Sequence, residues 1–134
     1  MHWSEEIPAT IERVSQFTAV LEAILHDYGV LDGKLIALAV HELGANIVRH
    51  AYAGTPGAIG IDVTLAPGRL TIVCRDRAPN RYTPPACVRP PDPHDLPEGG
   101  WGLYLIYQII DQVDYQPQPD GNEWRLVKRL PLRT

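Results

Sequence analysis

The stretch that decides the fold is residues 35–51, which reads LIALAVHELGANIVRHA. Apolar residues recur there every three or four positions, which is typical of the buried face of a helix. They are Ile36, Val40, Leu43, Ile47 and Ala51. Asp32 is a suitable N-cap, and the GTPG sequence at 54–57 interrupts the pattern. The spacing therefore predicts a helix from Asp32 to about Ala51.

A neighbouring stripe of this helix changes from apolar to polar along its length. Its members are Leu35, Leu38, Ala39, Glu42, Asn46 and Arg49. Glu42 and Asn46 are four apart, so their side chains share one face, with Cβ atoms about 5–6 Å apart. Three interpretations of this pair are open. A carboxylate beside an amide oxygen suits Mg²⁺, or the carboxylate could be a general base. The same pattern also occurs on an ordinary solvent-exposed helix face. The residues HELGA at 41–45 lack the second histidine of a zinc protease, so a metal site built on protein ligands is not expected.

The flanking segments supply two more helices and two strand pairs. Helical spacing predicts a helix over residues 9–28, with Gly29 as its C-cap. Alternation predicts strands at 59–65 and 70–74, and a hairpin of 113–116 and 124–128 closes the chain. Another helix starts at residues 99–102, GGWG, and ends near 111. Because strands come in adjacent pairs, we expect an α+β two-layer sandwich with helices on one face of a largely antiparallel sheet.

A proline-rich segment separates the two halves of this pattern. Seven of the 13 prolines fall between Asp76 and Gly99, which excludes a helix or a central strand there. A long loop in a compact domain is usually a functional lid or disordered, and we place a lid at about 77–98. The glycines that follow it suit an anion at a helix start, or a plain turn. Asp76, at a strand end, is either a turn residue or an acceptor for the N–H of a base.

Composition narrows the functional classes. The 134 residues predict one domain, 1–134, and 12 basic against 16 acidic side chains disfavour direct nucleic-acid binding. The longest apolar run, residues 35–40, is far shorter than the roughly 18 residues of a membrane span. Two cysteines form no disulfide framework. These features predict a soluble, cytoplasmic protein without a membrane segment.

The order of these pieces resembles the GHKL ATPases. The motifs are Glu42-x-x-x-Asn46-x-x-x-His50-Ala51-Tyr52, Asp76 at a strand end, a long lid, EGGWGLYLI at 98–106 and DQV at 111–113. Within that superfamily the chain is similar, over about residues 7–130, to the small serine/threonine kinases that act as anti-sigma factors in bacterial partner switching. The resemblance implies the GHKL (Bergerat) fold, three helices on one face of a mixed, mainly antiparallel sheet.

The resemblance also implies the activity and its partners. Such proteins bind ATP and Mg²⁺ between the Glu/Asn helix and the lid. They phosphorylate a serine of an anti-anti-sigma protein of the STAS type, sequester a sigma factor and are commonly homodimers. A binding module of the same fold that has lost useful ATP turnover is the alternative. A histidine-kinase fragment is the weaker third reading, because no phosphoacceptor helix pair precedes the domain.

Roles carry over by position from the family motif. Glu42 would be the general base, Asn46 would hold Mg²⁺, Asp76 would bind the adenine amino group and Arg49 would reach a phosphate. The phosphates would meet the glycine-rich helix start, which comprises Gly99, Gly100, Gly102 and Leu103.

Two positions depart from the family pattern. Ala78 replaces the glycine of the family's Asp-x-Gly, and residues 121–124, GNEW, lack the family's threonine. Both departures lie on the adenine side, so weaker or altered nucleotide affinity is expected.

Overall fold

The computed structural model describes residues 1–81 and 100–131, excluding the side chains of residues 100 and 101. Three helices pack against a five-stranded sheet. The strands are β1 (His2–Pro8), β2 (Ala58–Ala66), β3 (Arg69–Asp76), β4 (Gln112–Gln118) and β5 (Gly121–Arg129). The helices are α1 (Ile11–Asp27), α2 (Gly33–Asn46) and α3 (Gly100–Ile109), and a π-helical turn (Ile47–Ala51) continues α2.

The sheet has the order β1-β2-β3-β5-β4, and all four pairings are antiparallel. The predicted α+β sandwich of three helices on a mainly antiparallel sheet is therefore confirmed, and the described strands form no parallel pair. The central strands β2, β3 and β5 bury alternate side chains against the helices, because successive side chains of a strand point to opposite faces.

The first strand was missed at the level of sequence. Residues 2–8, HWSEEIP, pair with β2 from His2↔Thr64 to Pro8↔Ala58 and form one edge of the sheet. Their apolar content is limited to Trp3, which stacks on Phe17 of α1 at a ring-centroid distance of 4.6 Å, and Ile7, which is buried. An edge strand with one polar face carries too few apolar residues to show the alternation of apolar and polar residues that predicts a strand.

Helix boundaries follow local chemistry. Thr10 caps α1 by accepting a hydrogen bond from the Arg13 N–H, and Gly29 ends it with a φ of 75°. The N–H groups of Gly29 and Val30 bond back to the last turn of α1, which is a Schellman motif and confirms the predicted C-cap. Asp32 occupies the predicted N-cap position of α2, where its carbonyl accepts the Ile36 N–H, but its side chain makes no capping bond.

The predicted core face of α2 is confirmed. Ile36, Val40, Leu43 and Ile47 are buried in the main hydrophobic cluster, and Ala51 packs against it. The side of α2 opposite the polar stripe meets α1, where the Ser15 hydroxyl lies 3.0 Å from His41 Nε2. Alanine at Gly44 would press on the Val14 side chain, so the two helices are in close contact there. This packing fixes α2 above the sheet and turns its polar stripe toward α3.

Candidate functional site

The candidate site is organised around a buried carboxylate at the end of β3. Asp76 is 6% exposed. Its Oδ1 accepts two hydrogen bonds of 2.9 Å, from the Ala78 N–H and from Asn122 Nδ2. Its Oδ2 is buried and has no hydrogen-bond partner among the described residues. Because an unpaired buried acceptor is costly, Oδ2 is a candidate contact for an N–H donor of a ligand.

Ala78 holds this carboxylate through its main chain. Its side chain is buried in the hydrophobic cluster and lines no described cavity beside Asp76. The methyl group that distinguishes this position from glycine is therefore accommodated by the protein's own core.

Tyr52 fixes the backbone around Asp76. Its buried hydroxyl donates to the Ala58 carbonyl and accepts the Arg77 N–H at 3.0 Å. One side chain thus joins the end of the π-helical turn, the start of β2 and the residue after Asp76. Tyr52 therefore has a structural role in the motif that also contains Glu42 and Asn46.

Glu42 lies where the polar stripe of α2 meets the start of α3. A Cβ atom built on Gly102 would lie 2.5 Å from Glu42 Oε2 and 3.4 Å from its Cδ. Real Cβ atoms essentially never come within 3.0 Å of another heavy atom, so only glycine lets α3 approach the carboxylate this closely. The Glu42 side chain is 27% exposed and therefore remains accessible to a substrate.

The helix that carries Asn46 changes geometry immediately after it. Residues 47–51 form a π-helical turn, closed by a 3.0 Å hydrogen bond from the Tyr52 N–H to the Ile47 carbonyl. The predicted helix does end at Ala51, but its last turn is wider than the uniform α-helix that the spacing implied. Such turns are frequent at functional sites. Arg49 is exposed on this turn, and the His50 carbonyl accepts a 3.1 Å hydrogen bond from Asn80 Nδ2.

A small cavity joins Asn46 to the Asp76 region. Its volume is about 50 Å³, and its polar lining includes Asn46, Asn80, Arg81 and Asn122. A larger groove of about 630 Å³ lies at the same end of β3 but extends over the helix-free face of the sheet, along Gly60 and Arg75. Of the predicted site residues, Asn46 lines the smaller cavity and Asp76 lines the larger groove, while Asn122 lines both. We therefore place the candidate site around the contact between Asp76 and Asn122, on the side of the smaller cavity that Asn46 lines.

Arg81 closes this cavity on one side. Its guanidinium donates to the carbonyls of Ala78, at 3.2 Å, and Gln118, at 2.9 Å. Pockets that bury a drug-sized ligand have volumes of about 300–1,000 Å³, so the cavity formed by the described residues is smaller than one that would enclose a nucleotide.

The glycine-rich segment is described only in part. Gly99 lies outside the described residues, as does the predicted lid from residue 82 onward. Gly100 begins α3, Gly102 is buried against Glu42, and Leu103 packs at the margin of the hydrophobic cluster. The structure thus brings Gly102 to Glu42 and joins Asp76 to the wall of the cavity that Asn46 also lines.

Three residues of this site were not predicted from sequence as contributors. Asn122 donates to Asp76 Oδ1, and its own Oδ1 accepts the Tyr115 hydroxyl. The Asn80 carbonyl accepts a hydrogen bond from Asn122, and the Asn80 side chain donates to the His50 carbonyl. The sequence signal for Asn122 was the departure from the family pattern at residues 121–124. It was interpreted as the absence of a threonine beside the adenine, not as the presence of a new contributor.

The described residues contain neither a cluster of metal-binding side chains nor a membrane-spanning helix. In residues 1–81 and 100–131 there is no group of three or more His, Cys, Asp or Glu side chains placed to hold a metal ion. No helix in that part of the chain is long and apolar enough to cross a membrane.

Comparisons with known proteins agree with this geometry. The family described as histidine kinase-like ATPase domain matches residues 7–128. The serine-protein kinase RsbW of Bacillus thuringiensis (strain Al Hakam) is 32% identical over 117 residues, which cover 81% of this chain and 72% of the relative. The serine-protein kinase RsbW of Bacillus anthracis (strain CDC 684 / NRRL 3495) is 31% identical over 117 residues, with the same coverage.

Solved structures share the fold. The RsbU and RsbW domains of Rv1364c from Mycobacterium tuberculosis match 99% of this chain with a TM-score of 0.70 at 22% identity. This chain covers 34% of that solved chain, so the likeness concerns one part of a longer protein. The histidine kinase domain of the blue-light activated histidine kinase from Erythrobacter litoralis EL346 matches 92% of this chain, and 62% of that chain is covered, with a TM-score of 0.54 at 17% identity. The chain belongs to the histidine kinase-like ATPase family of the GHKL superfamily, with RsbW-like serine-protein kinases among its relatives.

Proposed function

We propose that this protein is an ATP-dependent serine kinase and anti-sigma factor of a bacterial partner-switching system. Its substrate is a serine of a STAS-type anti-anti-sigma protein, and its second partner is a sigma factor. We further propose that it acts in the cytoplasm as a homodimer, without direct contact to nucleic acid or membrane. The relatives named serine-protein kinase RsbW support the kinase class.

The observation that carries the proposal is the unpartnered Oδ2 of Asp76. A buried carboxylate oxygen without a donor fits the exocyclic amino group of adenine, which would supply the missing hydrogen bond. The other oxygen of the same carboxylate already accepts two N–H donors, so Oδ2 is the oxygen left to accept a hydrogen bond from the base.

The donor set on α2 fits the metal and phosphate side of Mg-ATP. Mg²⁺ takes one or two protein oxygens and completes its shell with water and phosphate oxygens, and Asn46 offers a neutral amide oxygen for this purpose. The ion would neutralise charge on the transferred phosphate. Arg49, exposed on the π-helical turn, is available to a phosphate, and the Gly99–Gly102 segment with Leu103 would place the N–H groups of α3 beside the phosphates.

Glu42 is the proposed general base. Its carboxylate would accept the proton of the substrate serine hydroxyl as the oxygen of that serine attacks. Gly102 keeps the Glu42 carboxylate at the start of α3, so the base and the helix N-terminus face the same space. Most of the rate acceleration would then come from positioning and charge neutralisation.

The test is calorimetric titration of the purified protein with Mg-ADP, together with the Asp76→Asn variant. Asparagine keeps the shape, but its single oxygen would replace Oδ1, so an NH₂ group would face the base. We expect micromolar binding, about −8 kcal/mol, by the parent and at least tenfold weaker binding by the variant. Asp62→Asn, the same substitution on the helix-free face of the sheet, is the matched control. Equal affinities of all three proteins would contradict the proposed site.

A catalytically weak binding module is the second candidate function. The observation that favours it is the small volume, about 50 Å³, of the cavity lined by Asn46, Asn80 and Arg81. A binding module would show no phosphate transfer from Mg-ATP to the STAS-type partner, and its partner affinities would be unchanged in Glu42→Gln. A kinase would lose transfer in that variant while keeping both partners.

A further inference from the structure

Asn122 is a buried amide at the second position of β5. It is 2% exposed, and its polar atoms are engaged on both sides. Nδ2 donates to Asp76 Oδ1 at 2.9 Å and to the Asn80 carbonyl at 3.1 Å, while Oδ1 accepts the hydroxyl of Tyr115. Both amide hydrogens therefore have an acceptor, and the amide oxygen has a donor.

The orientation of this amide is determined by its neighbours. On one side lie a carboxylate oxygen and a main-chain carbonyl, which only accept hydrogen bonds. Turning the amide over would place its oxygen against both acceptors, and the Tyr115 hydroxyl would lose its acceptor. Only the observed orientation satisfies all three contacts.

The backbone beneath this contact is closely packed. Asp76 and Asn122 are register partners in the β3–β5 pair. A side chain at Gly121 would collide with the carbonyl oxygen of Asp76 and come within 2.9 Å of the Arg77 Cα. The two strands therefore approach each other closely beside this amide, and its hydrogen bond holds the Asp76 carboxylate in one orientation.

We propose that Asn122 is the positioning residue that gives the site its preference for an amino-bearing purine base. It binds Asp76 Oδ1, so that Oδ2 alone is presented as an acceptor. This inference rests on the proposed function, because it assumes that a nucleotide base contacts Asp76. Asn122 acts through Asp76 and takes no part in phosphate transfer.

The chemical consequence is discrimination at the 6-position of the purine. ADP carries an amino group there and can donate to Oδ2. Inosine diphosphate carries a carbonyl, which would face the carboxylate oxygen as a second acceptor. Leaving a buried acceptor unmatched lowers affinity by about 10- to 100-fold, so we expect the parent protein to prefer ADP by that factor.

The experiment measures the dissociation constants of Mg-ADP and Mg-IDP by calorimetry. The proteins are the parent, Asn122→Ser and Asn122→Asp. Serine removes the donation to Asp76, and aspartate keeps the shape but places an acceptor against an acceptor. In both variants we expect the IDP/ADP ratio of dissociation constants to fall at least fivefold. Gln116→Glu, the same amide-to-acid change at an exposed position of β4, should keep the parental ratio.

The ratio separates positioning from general stability. If Asn122 had only a structural role, its variants would bind both nucleotides more weakly by the same factor, and the ratio would not change. That result, in variants with the circular dichroism of the parent, would overturn the role of Asn122 but not the proposed function. If the parent binds neither nucleotide at millimolar concentration, the proposed function and this role are both overturned. A fall in the ratio in both variants, but not in Gln116→Glu, supports the role.

Discussion

Gly102→Ala tests whether the contact between α3 and Glu42 matters for phosphate transfer. The new Cβ would lie 2.5 Å from Glu42 Oε2, and real contacts of this kind begin at 3.0 Å, so the carboxylate must move by at least about half an ångström. Misplacing a reacting group by about 1 Å can reduce the rate by about 100-fold. We therefore expect a 10- to 100-fold fall in transfer from Mg-ATP to the STAS-type partner.

We expect Gly102→Ala to lose phosphate transfer without losing stability. Alanine is favoured over glycine by at most about 1 kcal/mol within a helix, and Gly102 lies in the first turn of α3. The displaced atom is the free end of a flexible side chain. We expect the free energy of unfolding to stay within about 1 kcal/mol of the parent. Mg-ADP affinity should change less than threefold, about 0.65 kcal/mol, because Asp76 is untouched and alanine keeps the main-chain N–H that Gly102 offers to the phosphates.

The assay is a time course of radiolabelled phosphate transfer, with chemical denaturation measured in parallel. Gly60→Ala is the matched control, because a Cβ there meets nothing closer than the Arg75 carbonyl oxygen at 4.0 Å. Glu42→Gln gives the rate expected without the base. A Gly102→Ala protein that transfers phosphate at the parental rate would refute the reasoning that this glycine positions Glu42.

Three further predictions concern stability and reactivity. Gly121→Ala should lower the free energy of unfolding by about 3 kcal/mol in urea denaturation, because its Cβ would collide with the backbone of β3; an unchanged midpoint would contradict this packing. Hydrogen bonds from Ser4 and Arg75 lower the pKa of Asp62 from its ordinary value of 3.8, so the stability it contributes is complete above that pH and is lost as the pH falls through the lower folded-state pKa. The acid denaturation of Asp62→Asn should lack the pH-dependent stability that Asp62 contributes. A variant whose stability depends on pH in the same way as that of the parent would contradict this contribution. Burial raises the pKa of the Cys74 thiol to about 12, so in a variant whose other cysteine is serine, alkylation at pH 8 should occur only after unfolding.

Much of the fold could be predicted because it depends on local periodicity. The core stripe of α2 and the hairpin of β4 and β5 follow from spacing within one segment, and the structure confirms both. The edge strand β1 could not be predicted, because its pairing partners lie 50 or more residues away and its own residues are mostly polar. The π-helical turn was also missed, since α-helical and π-helical turns share the same residue types.

The candidate site could likewise be predicted only in part from the sequence. The sequence by itself determined the segments that carry its chemistry, since Glu42 and Asn46 share a helix face and Asp76 ends a strand. Only the tertiary structure decided which atoms are available. Asn122 lies 46 residues from Asp76 along the chain, and the β3–β5 register places its amide on one carboxylate oxygen and leaves the other unpartnered. Likewise, the packing of α3 on α2 made Gly102 a neighbour of Glu42. Periodicity is a property of neighbouring residues, whereas hydrogen bonds and close approaches between distant segments exist only after the chain has folded.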